Sequence, residues 1–144
     1  MGEHDSRTLI ARMYVTCAVC GDRASTVDLV PPGVTHPKAG SAALADVGIY
    51  DGPSGRGRLI EEGVCGKSMW VVEVDQLDRL RAIFLRGDWR ALYQLDREWL
   101  SSYCPTCDVN YCTAHWDKYD EFDDGFYDCT RGTCPRGHKR VLSD

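Results

Sequence analysis

The sequence lacks any long apolar run, and this absence argues against a chain that crosses a membrane. No stretch of about 18 apolar residues occurs, so no membrane-spanning helix and no membrane partner are predicted. Residues 1–16 carry Glu3, Asp5 and Arg7 and no continuous apolar segment, so no signal peptide is expected. The thiols are therefore expected to be reduced, in a cytoplasmic protein, and paired cysteines in that setting favour metal over disulfides.

An excess of basic residues is also lacking. Lys and Arg number 17 against 22 Asp and Glu, and the net charge of −5 makes nucleic acid an unlikely partner, because general binding to phosphates needs a basic field. The charge is unevenly distributed, however. Residues 117–128 are strongly acidic and residues 131–140 are basic. The acidic stretch is either a solvated face or a charge-complementary docking surface.

Signatures of catalytic zinc are absent as well. The chain contains no His-Glu-x-x-His, and no His-x-Glu of the kind that deaminases use. A catalytic zinc keeps an open coordination position, whereas thiolate-rich sites with four protein ligands are structural. No catalytic residue is therefore predicted, and whether the chain is an enzyme stays open.

What the sequence does contain is a dense set of metal ligands, centred on the stretch from Cys104 to Trp116. Four potential ligands fall within twelve residues there, and further pairs lie upstream and downstream. Thiolates and imidazoles at such spacings are typical of tetrahedral Zn²⁺ sites. The predicted ligands of two zinc ions per chain form four pairs: Cys17 with Cys20, Cys104 with Cys107, Cys112 with His115, and Cys134 with His138.

The order in which these pairs combine is left open by the spacing. An alternating arrangement, the cross-brace, joins the first pair with the third and the second with the fourth, and the short spacer between Cys107 and Cys112 favours it. A sequential arrangement would give a four-cysteine site and a Cys₂His₂ site. Cys129 is an alternative ligand in place of Cys134 or His138. The remaining cysteine, Cys65, is expected to be a small buried hydrophobe.

The run C-P-x-C-x-x-x-Y-C-x-x-H resembles the middle of the binuclear treble-clef zinc fingers of the RING, FYVE and PHD superfamily. Cys17 to Cys20 resembles the opening pair of a RING, and Cys134-Pro135 its closing pair. The chain departs from the superfamily in its long gap between the first two pairs and in the final His138, and it matches no single family within it.

The resemblance implies an α+β fold in one domain, 1–144. A small zinc-stabilised cross-brace would be built from residues 9–30 and 101–140. Residues of about 31–100 would be an inserted subdomain, containing a strand at Met69–Val74 and a helical hairpin. Asp75 and Asp88 are predicted to cap its two helices. Residues 116–122 are expected to begin a short helix, and Asp123-Asp124-Gly125 to form a turn.

The function implied by a RING-like finger is that of a protein-interaction module that assists ubiquitin-like protein transfer without a covalent intermediate. Its partner would be a ubiquitin-conjugating-type enzyme. The residues placed like the partner-binding positions are Val19, Trp116, Lys139 and Arg140. Two alternatives are a reader or adaptor with no transfer role and a zinc finger that binds nucleic acid through the basic tail. The abundance of Asp and Arg over Lys and Asn favours a bacterial source.

Overall fold

A computed structural model of the chain describes residues 9–40 and 47–144. It is a mixed α+β structure in which small antiparallel sheets predominate, as expected. The first sheet has the order β1-β2-β3-β4, with strands β1 Ala11–Thr16, β2 Arg23–Val30, β3 Gly57–Gly63 and β4 Gly66–Val72. The predicted boundary near residue 31 thus lies between β2 and β3, which are hydrogen-bonded neighbours in this sheet.

Three helices belong to the middle of the chain: α1 Val47–Tyr50, α2 Val74–Arg86 and α3 Trp89–Leu95. The helical hairpin of α2 and α3 is confirmed. Gly87, at φ 63°, ends α2 in the left-handed conformation that glycine adopts without strain. The Asp88 carboxylate caps α3 by accepting a hydrogen bond from the backbone N–H of Ala91 at 3.2 Å. Asp75 is not the cap of α2, because the helix begins at Val74 and Glu73 occupies the N-cap position.

The C-terminal part contains two smaller sheets. Strands β5 Tyr103–Cys104 and β6 Val109–Asn110 form one, and β7 Asp117–Asp123, β8 Phe126–Thr133 and β9 Lys139–Ser143 form the other. The expected helix over 116–122 is wrong, since Asp117–Asp123 form strand β7 and Trp116 directly precedes it. The predicted turn is confirmed: Asp124 at φ 49° and Gly125 at φ 84° join β7 to β8 as a two-residue turn, the conformation that Asp-Gly favours in hairpins.

The glycine-rich segment of residues 33–68 contains the whole of strand β3 and one buried histidine. His36 is 2% exposed, with Nε2 lying 2.8 Å from the Asp28 carboxylate. Since the backbone N–H of Lys38 donates to Nδ1 of His36, the ring proton belongs on Nε2, facing Asp28.

One buried apolar cluster connects the first sheet and its helices to the C-terminal part. It includes Met13 of β1, Leu80 of α2, Trp116 and Leu142 of β9. Among the described residues, no helix has both the length and the apolar character needed to cross a membrane. The first sheet, its helices and the C-terminal strands therefore share one core, and the segments that bear the predicted ligands pack against this core.

Candidate metal centres

The eight cysteine and histidine residues predicted as ligands lie in two compact groups, each with three thiols and one imidazole. Within each group the potential ligand atoms are all within 4.8 Å of one another. Both groups could hold a metal ion. Site 1 contains Cys17, Cys20, Cys112 and His115, and site 2 contains Cys104, Cys107, Cys134 and His138.

The distances in site 1 are those between donors around a shared centre. The Cys20 and Cys112 sulfurs are 3.7 Å apart, and Nδ1 of His115 lies 3.1 Å from the Cys112 sulfur and 3.5 Å from that of Cys17. A zinc ion bound tetrahedrally, with Zn–S near 2.3 Å and Zn–N near 2.0 Å, places two sulfurs about 3.8 Å apart and a sulfur and a nitrogen about 3.5 Å apart. The observed separations fit this geometry.

Site 2 has the same dimensions. The Cys107 and Cys134 sulfurs are 3.8 Å apart. Nδ1 of His138 lies 3.1 Å from the sulfur of Cys107, 3.4 Å from that of Cys134 and 3.8 Å from that of Cys104. Sulfurs in a disulfide would be about 2.05 Å apart, and all eight cysteines are free. The two groups are therefore arranged as metal sites and not as oxidised pairs.

Tight turns at three of the four pairs aim backbone N–H groups at the sulfurs. The N–H of Val19 points to the Cys17 sulfur, that of Cys107 to the Cys104 sulfur, and those of Arg136 and His138 to the Cys134 sulfur, all at 3.3–3.4 Å. Each turn needs one residue with positive φ just beyond it, and these are Gly21, Asp108 and Gly137. The fourth pair is held by the single 3₁₀ turn Thr113–His115.

These N–H groups favour the thiolate form that a metal requires. Burial by itself raises the pKa of the Cys17 thiol, but backbone donors from Cys112, Cys20 and Val19 outweigh burial and lower the pKa to about 6. In site 2, burial likewise raises the pKa of Cys134, while the N–H groups of His138 and Arg136 give a net lowering. Hydrogen bonds to sulfur thus stabilise the charged form of one thiol in each site, whereas burial raises the pKa of Cys104 to about 11 despite the N–H of Cys107.

The grouping of the pairs is the alternating one. Site 1 joins the first pair with the third and site 2 joins the second with the fourth. The hairpin of β5 and β6 lies between Cys104 and Cys112, and the backbone N–H of Ala18 donates to the Asn110 carbonyl at 2.9 Å. This hydrogen bond holds the first ligand pair next to the third, although the two pairs lie far apart in the sequence.

The two remaining cysteines lie outside both sites. Cys129 is buried on β8, and its thiol donates to the Glu121 carboxylate at 3.5 Å. The structure therefore does not place it where it could replace Cys134 or His138. Cys65 is half-buried in the turn after β3, and burial together with the nearby Glu61 raises the pKa of its thiol to about 11. A thiol protonated at neutral pH does not serve as a nucleophile.

The four residues predicted to bind a partner occupy different environments. Val19 is 56% exposed at the tip of the first turn. Trp116 is buried, and its indole N–H donates to the Ser102 carbonyl at 3.1 Å. Lys139 is exposed at the start of β9. The Arg140 guanidinium is turned inward and donates to the carbonyls of Leu100, Tyr103 and Arg97 at 2.6–3.2 Å.

Replacing Arg140 should therefore change the stability of the fold more than it changes contacts with a partner at the surface. Arg140→Ala removes the guanidinium donors from three carbonyls and the cation stacked over the Tyr93 ring, so we expect the free energy of unfolding to fall by about 2–4 kcal/mol. Chemical denaturation measures this. The matched control is Lys139→Ala, next along β9, which should change it by no more than about 0.5 kcal/mol. Equal effects of the two variants would contradict the assignment.

A buried polar network not apparent from the sequence connects the first sheet to the metal sites. Oε2 of Glu61 accepts hydrogen bonds from the Ser25 hydroxyl and from the backbone N–H and hydroxyl of Ser101, at 2.7–3.0 Å. The network continues from Ser25 through Ser102 to Asn110 on β6. Burial raises the pKa of Glu61 to about 7, against the opposing effect of these donors. No sequence signal marks Glu61, since strand β3 is not predicted from the sequence pattern.

Comparison with known families adds one assignment. A search of curated proteins and a search of solved structures each gave no match. A family model, described as a domain of unknown function (DUF8328), matches residues 6–144. Because the match covers nearly the whole chain, including all eight residues of the two metal sites, the chain belongs to the DUF8328 family.

Proposed function

We propose that the chain is a zinc-binding protein-interaction module with two structural Zn²⁺ ions in a RING-like cross-brace. The alternating Cys₃His groups support this most directly. Three thiolates and one imidazole select Zn²⁺ over harder cations such as Mg²⁺ or Ca²⁺, which prefer oxygen ligands. Four protein donors at each site leave no position for a substrate, so the ions stabilise a surface and take no part in chemistry.

The surface between the two sites supports a partner-binding role. A groove of about 450 Å³ runs between them, with residues from both sites in its walls. It is lined by Ala114, His115, Trp116, Asp117, Thr133, Cys134 and Pro135. In a RING-like finger, a groove of this kind together with an apolar residue in the first metal turn would bind the conjugating enzyme. Val19 supplies such a residue, since it is exposed although it is apolar.

The proposed partner is a ubiquitin-conjugating-type enzyme carrying a ubiquitin-like protein as a thioester. Val19 and the groove beside Trp116 would contact the enzyme. Lys139 is the basic residue available to the conjugate, because Arg140 is occupied by backbone carbonyls inside the fold. The chain would speed discharge by holding the conjugate in a reactive orientation, without a covalent intermediate of its own.

A discharge assay tests this proposal. The metal-loaded chain should accelerate transfer of the ubiquitin-like protein from its thioester to free lysine, and Val19→Ala should reduce the acceleration about tenfold, as expected when an apolar contact at the centre of an interface is truncated. Leu85→Ala is the matched control, because Leu85 is also apolar and exposed, at 76%, but lies on α2.

Loss of acceleration in both variants would point to a general defect and not to a Val19 contact. No acceleration by the intact chain, with two zinc ions bound, would refute the transfer role and leave a zinc-stabilised binding module. The assay is best run with conjugating proteins encoded near the gene, because the partner's identity then follows from genomic context.

The alternative of a reader for methylated lysine has weaker support. Such a reader needs an aromatic cage with free ring faces. The Trp89, Tyr93 and Tyr103 rings do cluster, but Arg90 lies over Trp89 at 4.2 Å and Arg140 over Tyr93 at 5.3 Å. Two of the three rings are therefore already in contact with cations of the chain itself.

A further inference from the structure

The hairpin formed by β7 and β8 exposes a concentration of aromatic side chains. Near its tip, Phe122 is 62% and Phe126 77% exposed, and Tyr119 and Tyr127 are each about half exposed. Single exposed apolar residues are common on protein surfaces, but several around one hairpin usually mark an interaction site. The register places Phe122 opposite Tyr127 and Asp123 opposite Phe126, so Phe122 and Tyr127 lie on one face of the hairpin and Phe126 on the other. These residues lie on strands β7 and β8, and none of them belongs to the two Cys₃His groups.

Contacts within the hairpin hold the Phe122 and Tyr127 rings in place. Phe122 and Tyr127 are register partners, and their rings meet edge to face with centroids 6.2 Å apart. The Tyr127 hydroxyl lies 2.7 Å from that of Thr130. The Asp124-Gly125 turn has the twist that a two-residue hairpin needs. A partner would therefore meet a surface that is already ordered, which lowers the entropic cost of binding.

The charge around the rings is negative and largely uncompensated. Glu121 pairs with Arg131 at 2.8 Å, and Asp120 accepts from Thr130. Within the described residues, the other four acids of the hairpin have no ion pair; these are Asp117, Asp123, Asp124 and Asp128. The lysine of β7, Lys118, donates to the Val64 carbonyl at 2.7 Å, towards the body of the molecule. Charge complementarity therefore selects a basic partner.

The outer edge of β7 offers backbone groups as well. The sheet order is β7-β8-β9, so β7 pairs on one side only among the strands described. An extended peptide can add to such an edge, with main-chain hydrogen bonds giving affinity and alternate side chains giving specificity. A second copy of this chain is disfavoured there, because like-charged edges repel one another.

We propose that the β7–β8 hairpin docks a basic, extended segment of a partner protein, which adds to the edge of β7 as a strand. Its Lys or Arg side chains would face the aspartates and the aromatic rings, where cations are attracted to ring faces. Because alternate side chains of a strand point to opposite faces, its apolar side chains would cover Phe126 on one face while its basic ones face Phe122 and Tyr127 on the other. The site deepens the proposed protein-interaction role but is independent of the transfer activity, which depends on Val19.

The probe for this proposal is a synthetic peptide of about eight residues that alternates arginine and valine, with a glutamate-for-arginine peptide as its control. The metal-loaded full chain is titrated with each, and amide chemical shifts are followed. The arginine peptide should bind at least about tenfold more tightly at low salt and shift the amides of β7, and its affinity should fall as salt is added.

Substitutions test whether the peptide contacts the aromatic rings and the aspartates of the hairpin. Phe126→Ser should weaken binding of the arginine peptide by about tenfold, whereas Leu85→Ser on α2 should not. Asp123→Asn combined with Asp124→Asn should weaken binding and reduce its salt dependence. Val19→Ala should leave peptide binding intact, so failure of the transfer proposal and failure of this one are distinguishable. Zinc content and the amide spectrum verify that each variant is folded.

Several results would overturn the proposal. These are equal affinity for the two peptides, no binding of either, shifts confined to other strands, or binding unchanged by Phe126→Ser. Concentration-dependent dimerisation that Phe126→Ser abolishes would also overturn it, because the occupant of the hairpin would then be a second copy of the chain.

Discussion

Loss of either metal ion is expected to unfold the C-terminal part of the chain, and zinc analysis of the native protein is expected to give two ions. The separate variants Cys20→Ser and Cys107→Ser each remove one ligand from one site. Binding of a structural zinc contributes about 10 kcal/mol to the folding of small fingers, whereas domains are stable by only about 5–15 kcal/mol in total. Either variant should therefore retain one zinc at most and lose cooperative unfolding.

The part of the chain most affected should be residues 103–143. Three of its buried residues, Cys104, Cys112 and Cys134, are themselves candidate ligands, so few other buried apolar side chains would stabilise this part once a metal is removed. Its sheets are also small, and β5 and β6 have two residues each. Amide hydrogen exchange before and after chelation measures the loss, residue by residue.

Matched controls come from the chain's other cysteines. Cys65→Ser and Cys129→Ser remove thiols that lie outside both sites, so both variants should keep two zinc ions. The comparison with Cys20→Ser is the sharpest, because Cys20 is exposed and its removal costs little packing. A native protein with one zinc or none, or a Cys20→Ser variant that keeps two, would contradict the assignment of the sites.

The ligand pairs could be predicted because their geometry is local. A turn that directs two ligand atoms to one ion needs a fixed spacing and a residue of positive φ, and both can be read from the sequence at Cys17–Gly21 and Cys134–His138. Which pairs share an ion could not be derived in the same way. The alternating arrangement depends on Ala18 meeting Asn110, a contact between segments far apart in the sequence.

Strand β7 was misjudged for a different reason. The aromatics Trp116, Tyr119 and Phe122 are three residues apart, which also fits one face of a helix, although Trp116 precedes the strand. What makes this segment a strand is its pairing with β8 across the Asp124-Gly125 turn. Pairing outweighs periodicity here because the segment is largely exposed, so burial imposes no period on it.

Strand β3 could not be recognised because its buried residues include charged ones. Arg58 and Glu61 are 1% and 3% exposed, and periodicity counts such residues as surface. Their partners are distant: Arg58 donates to the Tyr50 and Val34 carbonyls, and Glu61 accepts from Ser101. A buried charge is tolerated only when partners are supplied, and sequence pattern does not reveal partners that other elements provide.

The stability of the protein is expected to fall by about 2 kcal/mol between about pH 5.5 and pH 8 because of Glu61 alone. Burial raises the pKa of Glu61 from 4.5 to about 7 in the folded state. Between these two values the folded chain binds more protons than the unfolded chain, so the free energy of unfolding falls as pH rises. Above about pH 7 both states are ionised, and this contribution becomes constant.

The hydrogen-bond network favours the protonated carboxyl for a further reason. The Ser25 hydroxyl has one hydrogen, yet its oxygen lies 3.0 Å from both Glu61 Oε2 and the Ser102 hydroxyl. If Glu61 carries a proton and donates it to Ser25, each hydroxyl can donate onward, through Ser102 to Asn110. The titratable groups that act on Glu61 include Arg140, which favours the carboxylate, and the Cys65 thiol, which is neutral because its own pKa is raised.

Glu61→Gln isolates this contribution, because glutamine resembles the protonated acid and does not titrate. Metal binding also depends on pH, but both proteins share the metal sites, so the difference between their free energies of unfolding cancels that dependence. The variant should gain about 2 kcal/mol relative to the native protein from about pH 5.5 to pH 8, as measured by denaturation at each pH. The control is Glu62→Gln, since Glu62 is partly exposed and pairs with Lys38 at 2.8 Å. A pH-independent difference for Glu61→Gln would mean that Glu61 is ionised in the fold throughout this range, with Arg140 and the serine hydroxyls outweighing its burial.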